Sequence, residues 1–147
     1  TYPFVEVSTL SNLNEYTLVL DGSDNPKCRY LVNDYCQITN KVLLSGACIG
    51  WEGQVTSYGS GSACYRCLWG NDEISAGGCS TRGVIGMLPG IVAMIVAIEA
   101  LKILTLNRTD LQGYMVLYDG LSSSFKKVKL RQRRADCIAC GHNPMRI

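Results

Sequence analysis

A chain of 147 residues is the length of one ordinary domain, 1–147, and 47% apolar residues argue against disorder. A net charge of +2 is too mild to point to nucleic acid or an anionic membrane surface. Eight cysteines could make a secreted disulfide scaffold. However, the first residues carry no signal pattern, and four of the cysteines fall in two short pairs.

Residues 1–9 include an extended Pro-Phe-Val-Glu-Val-Ser and read as a strand end or a linker. Residues 16–20, Tyr-Thr-Leu-Val-Leu, form a short apolar run of the kind buried on both faces of a parallel sheet. The run stops at Asp21-Gly-Ser-Asp24-Asn25-Pro26. Such turns at the carboxyl end of a buried strand lie where open α/β sheets bind ligands. Asp24 offers a hard cation its carboxylate oxygens. The same residues equally suit a plain turn, with Asp or Asn capping a helix and Pro in its first turn.

Residues 27–39 read as a helix, with Leu31, Tyr35 and Ile38 at helical spacing and Asn40 as its stop. A strand is expected over 41–49, a turn at Gly50 and a shorter strand over 54–58. Residues 83–98 carry no charge but fall short of the roughly 20 residues a membrane span needs, so a buried core helix is expected within 83–104. Residues 114–119 read as a strand. Residues 125–131 alternate Phe125, Val128 and Leu130 with lysines and read as an exposed or edge strand. Arg131, Arg133 and Arg134 make a basic patch, either a solvated strand end or a surface for an acidic partner.

The two pairs are Cys64-Tyr-Arg-Cys67 and Cys137-Ile-Ala-Cys140. Each C-x-x-C brings two thiolates to one side of a turn, and two such turns can complete a tetrahedral four-sulfur shell of the kind zinc takes; the alternatives are two unrelated turns with free thiols, or a redox C-x-x-C. The wide spacing suits a staple across a domain in a reducing compartment. His142 is not needed as a ligand. Cys28, Cys36 and Cys48 fall in helix or strand patterns and read as core or helix-face thiols. Cys79 sits in a polar Gly-rich loop with Arg82 nearby and a helix start beyond, which favours a thiolate. It reads as a nucleophile or as a spectator thiol.

In combination these residues resemble a known family. Asp21-Gly-Ser-Asp24-Asn25 comes with Arg29-Tyr30, Leu44-Ser-Gly-Ala47, Glu52-Gly-Gln54 and Cys64-Tyr-Arg-Cys67. Gly83-Val-Ile-Gly86, Pro89-Gly90, Glu99-Ala-Leu-Lys102, Asp119-Gly-Leu-Ser122 and Cys137-x-x-Cys140-Gly141 follow in order. The series resembles the MoeB/ThiF family of ubiquitin-activating-type adenylating enzymes. Its strongest likeness is to the eukaryotic adenylyltransferase–sulfurtransferases of molybdopterin synthesis and tRNA thiolation.

The resemblance implies an α/β fold, the C-terminal half of a Rossmann-like domain with antiparallel C-terminal strands. It implies structural zinc on Cys64, Cys67, Cys137 and Cys140. It also places Asp24 and Asn25 at the magnesium and phosphates of ATP, and Cys79 at the sulfur-transfer position. The implied activity is adenylation of the C-terminal glycine of a ubiquitin-like sulfur carrier, in the cytoplasm, by a self-associating protein. The family's G-x-G-x-x-G half is absent from these 147 residues. The chain alone is therefore expected to be inactive. The alternative is a non-catalytic, zinc-stapled module that binds a ubiquitin-like protein or a partner subunit.

Overall fold

The structure is a computed structural model that describes residues 11–59, 61–70, 83–142 and 144. A 3-10 turn, Ser11–Leu13, leads into β1 (Leu18–Asp21), α1 (Pro26–Ile38), β2 (Val42–Ile49) and β3 (Glu52–Tyr58). Then come a short α2 (Tyr65–Trp69), the long α3 (Leu88–Leu106), β4 (Tyr114–Asp119) and β5 (Ser124–Lys129). The five strands form one sheet in chain order, β1-β2-β3-β4-β5. β1 and β2 are parallel, joined through α1, and every later pairing is antiparallel. This is the mixed α/β sheet expected from the sequence.

Local chemistry fixes the joints. Asn25 caps α1, its Oδ1 accepting from the Lys27 N–H at 2.9 Å, and Pro26 opens the helix. Asn40, with φ of 54°, turns the chain out of α1 toward β2. Gly50 starts the two-residue β2–β3 turn with φ of 56°, the conformation a II′ hairpin requires there. β3 begins earlier than expected, at Glu52, because the hairpin is that tight.

The sheet is covered differently on its two faces. On one, α1 buries Val32 and Cys36 against Val19, Leu43 and Tyr58. On the other, α3 packs Val92 against Val55 and Leu111, with Ile95 and Val96 beside them. Val92 fits over two glycines. A Cβ on Gly53 would lie 2.6 Å from Val92 Cγ2, and one on Gly46 would lie 2.8 Å from Val92 Cγ1. Gly53→Val is therefore expected to cost about 1–3 kcal/mol through overpacking. Urea denaturation measures that loss, and an unchanged midpoint would contradict the Val92 contact.

One expectation needs correction. α3 is not a buried core helix: among the described elements its 19 residues rest on β2 and β3 along one side. Met94, Ile98, Leu101, Leu104 and Leu106 lie on its exposed side. The sequence could not assign the two sides, because apolar residues encircle the helix and leave no period to read. By length and composition alone α3 would also span a membrane.

Candidate functional site

The two cysteine pairs meet. Cys64 precedes α2 and Cys67 lies within it, while Cys137 and Cys140 lie in the turn after β5. The sulfurs of Cys64 and Cys67 are 3.9 Å apart, Cys64 and Cys137 3.6 Å, and Cys67 and Cys140 3.5 Å. All four lie within 4.8 Å of one another and all four residues are buried. A disulfide needs about 2.05 Å between sulfurs, so these are thiols. Four sulfurs bound at about 2.3 Å to one metal form a tetrahedron with edges of about 3.8 Å. The donor set and its spacing therefore fit one tetrahedral metal ion. His142 is exposed and outside the cluster; its backbone N–H bonds to the Ala135 carbonyl.

Burial pushes the Cys64 thiol well up from its ordinary pKa and moves Cys140 to about 11. Burial opposes ionisation of Cys137 as well, but the backbone N–H groups of Cys140 and Ala139 together with the Cys64 and Cys140 thiols outweigh it and lower its pKa. A metal bound here would displace the protons that burial holds on Cys64 and Cys140. Two features shape the second knuckle. The Arg134 backbone N–H points at Cys67 Sγ from 3.4 Å. Gly141 leaves no room for a side chain, since a Cβ there would lie 2.4 Å from the Cys137 carbonyl oxygen and 2.5 Å from that of Ala135.

The first knuckle is anchored to α1 by an ion pair that the sequence did not reveal. Arg66, between Cys64 and Cys67, donates from Nε to both Asp34 oxygens at 2.7 and 3.0 Å and from Nη2 to Oδ2 at 2.6 Å. That carboxylate holds the Arg66 pKa above its ordinary value. Neighbouring Asn33, fully buried, accepts from the Tyr65 N–H at 2.8 Å and donates to Asp34 at 3.0 Å. The Arg66 guanidinium also lies 4.7 Å from the centre of the Tyr30 ring. No local signal marks the partner of Asp34, 32 residues on.

The second candidate site is the loop after β1. Asp21, expected to be a turn residue, is instead the buried last residue of the strand. Its carboxylate accepts from the Ser23 N–H and hydroxyl at 2.9 and 2.7 Å and from the Ser45 hydroxyl at 3.2 Å, and it faces Arg29 at 3.7 Å. Arg29 further donates to the carbonyls of Ser23 and Gly46. This network holds the loop rigidly by both backbone and side chain. Asp24 stands at its exposed tip, and no described residue bonds its carboxylate. Asn25 Oδ1 accepts the α1 cap bond, which leaves its second lone pair and the amide N–H2 for a ligand.

Of the remaining cysteines, Cys36 is fully buried and its thiol is pushed up to about 12 by burial, so it is inert core. Cys28 and Cys48 are half-buried. Cys79 lies outside the described residues.

Known proteins agree with this architecture. The pattern of the ThiF family matches residues 4–139. "Adenylyltransferase and sulfurtransferase MOCS3" of Culex quinquefasciatus is 41% identical over 140 residues, covering 93% of this chain and 32% of that protein. The protein of the same name from Dictyostelium discoideum is 38% identical over 145 residues, covering 96% of this chain and 34% of that one. The chain thus spans about a third of the length of these curated relatives. Among solved structures, Escherichia coli MccB superposes with a TM-score of 0.74 over 98% of this chain and 44% of its own, at 12% identity. A crystal structure of MccB with ATP superposes with a TM-score of 0.74 over 95% of this chain and 43% of that chain, at 14% identity. With the match running through both cysteine pairs but Cys140 and through the β1 loop, the chain belongs to the ThiF family.

Proposed function

We propose that this chain is the metal-stapled C-terminal part of an ATP-dependent adenylyltransferase, one that activates the C-terminal glycine of a ubiquitin-like sulfur carrier. The ThiF match over residues 4–139 carries this reading. Relatives about 40% identical are named adenylyltransferase and sulfurtransferase. The zinc ion is placed on Cys64, Cys67, Cys137 and Cys140, where its role is structural: four protein ligands leave no open position for substrate.

ATP is a substrate in this reading, with magnesium neutralising its phosphate charge. Asp24 presents its free carboxylate to that cation from the loop that Asp21 and Arg29 hold in place, and the Asn25 amide can donate to a phosphate oxygen. The carrier's carboxylate oxygen bonds to the α-phosphorus, and the bond to pyrophosphate breaks. Cys79 is assigned as the thiolate that next attacks the activated carbonyl, releasing AMP. The protein is placed in the cytoplasm as a homodimer or other self-associating species, with the exposed side of α3 available for such contact.

The test uses a longer protein in which this chain follows a G-x-G-x-x-G half. Asp24→Ala there should lower ATP–pyrophosphate exchange about 100-fold while leaving the thermal midpoint in place, since Asp24 is exposed. The chain alone should show no exchange. Exchange that survives Asp24→Ala would remove Asp24 from the reaction. A longer protein that shows no exchange before any substitution would favour the second reading, a non-catalytic module that holds a ubiquitin-like protein; the observation behind that reading is that these 147 residues carry no G-x-G-x-x-G.

A further inference from the structure

A cavity of about 400 Å³ lies at the other end of the sheet from Asp24. Asp21, at the carboxyl end of β1, pairs with Ser45, whereas the cavity is built beyond Tyr58, which pairs with Leu43 near the start of β2. Its walls come from Gly61–Ala63, from Gln112 and Tyr114 at the entry to β4, and from the run leaving β5. That run supplies Lys129, Arg131 and Arg133, three cations, and the described lining contains no acid. No described residue pairs with the Lys129 ammonium or the Arg131 guanidinium. Arg133 makes one long bond of 3.4 Å to the Gly141 carbonyl. By contrast Arg134, next in the chain and outside the lining, is neutralised by Asp136 at 2.7 Å.

We propose that this cavity is an anion site for a small phosphate-bearing molecule of about three negative charges. Three like charges around one concavity repel one another, and a multivalent anion removes that repulsion. The two guanidinium groups supply planar donor forks that match phosphate oxygens, and the ammonium adds a point charge. Ser62 also lines the cavity, with its hydroxyl already bonded to Gly59, so the three cations carry the site. The volume falls in the range of small-molecule sites and is too small for a folded partner. A single carboxylate would leave two of the three cations uncompensated. The site is separate from the β1 loop and does not depend on the adenylation reading.

The experiment is calorimetric titration of the whole chain with inorganic pyrophosphate at low ionic strength, where such contacts are strongest. One saturable site per chain is expected. Lys129→Gln with Arg131→Gln should weaken it at least about tenfold. Lys126→Gln, an equally cationic position on β5 but outside the lining, should change it less than about twofold. Both variants lie on exposed residues, and unchanged circular dichroism and metal content confirm that each variant folds. ADP as a second probe separates the sources of the phosphate. Tighter binding than pyrophosphate, lost in the first variant, assigns the site to a nucleotide-like molecule; weaker binding assigns it to the free ion.

Three results would overturn the proposal. One is the absence of saturation. Another is equal weakening in both variants, which would mean diffuse charge along β5. The third is a glutamate-rich peptide that outcompetes pyrophosphate through the same residues, which would make the cavity part of a docking surface for an acidic protein.

Discussion

Cys67→Ser is expected to empty the four-sulfur centre and to destabilise the fold by more than about 4 kcal/mol, the range reached when a structural metal is lost. Cys67 is fully buried and touches three parts of the site: the Cys64 and Cys140 sulfurs and the Arg134 backbone N–H. Serine keeps the size but offers a hydroxyl that zinc binds poorly beside thiolates. Three thiols and a hydroxyl would then crowd a buried space with no cation to hold them. Native mass spectrometry should find one zinc per chain in the parent and none in the variant, and the thermal midpoint should fall. Cys36→Ser is the comparison, because it places a hydroxyl in a different part of the core. It should cost stability but keep the metal. A Cys67→Ser chain that still carries one zinc and melts normally would rule out the four-sulfur centre.

Asp34→Ala should cost about 3–5 kcal/mol, the loss seen when one partner of a buried ion pair is removed. The penalty comes from Arg66, charged and mostly buried, which loses the three bonds that Asp34 accepts from its Nε and Nη2. Urea denaturation of Asp34→Ala, Arg66→Met and the Asp34→Leu/Arg66→Met double variant separates strain from charge. Apolar replacement of both partners should recover most of the loss, since a buried pair contributes little beyond a well-packed apolar contact. A double variant as unstable as the sum of the singles would show that Arg66 acts by another route, such as its stacking on Tyr30.

The parts of this structure legible in the sequence are those specified by local pattern. Val42-Leu-Leu announces a buried strand by its apolar run, and the C-x-x-C spacing announces paired ligands whatever the fold around them. What stayed hidden depends on partners far along the chain. Asp21 reads as a turn residue because nothing local shows Arg29 and Ser45 satisfying its carboxylate at the strand's end. Glu52-Gly53 reads as a poor strand start, yet Gly53 is in β3 because Val92 needs the space. Asp34 and Arg66 look like ordinary solvated charges until α1 and α2 are side by side. α3 shows the opposite limit, for a sequence apolar on every side cannot say which side is covered.

The separation within the cysteine centre has a kinetic consequence. Cys64 and Cys137 are 73 residues apart, and so are Cys67 and Cys140. The first pair is fixed to α1 through Asp34, so half of the shell can assemble early from nearby parts of the chain. The second pair arrives only after α3 and the β4–β5 hairpin have been laid against the sheet. Closing so long a loop is entropically costly in an open chain but nearly free once those strands are paired. Metal capture should therefore be the last event of folding, and metal release the first event of unfolding. The rate at which a chelator strips the ion would then time the parting of the two cysteine pairs, ahead of any loss of the sheet.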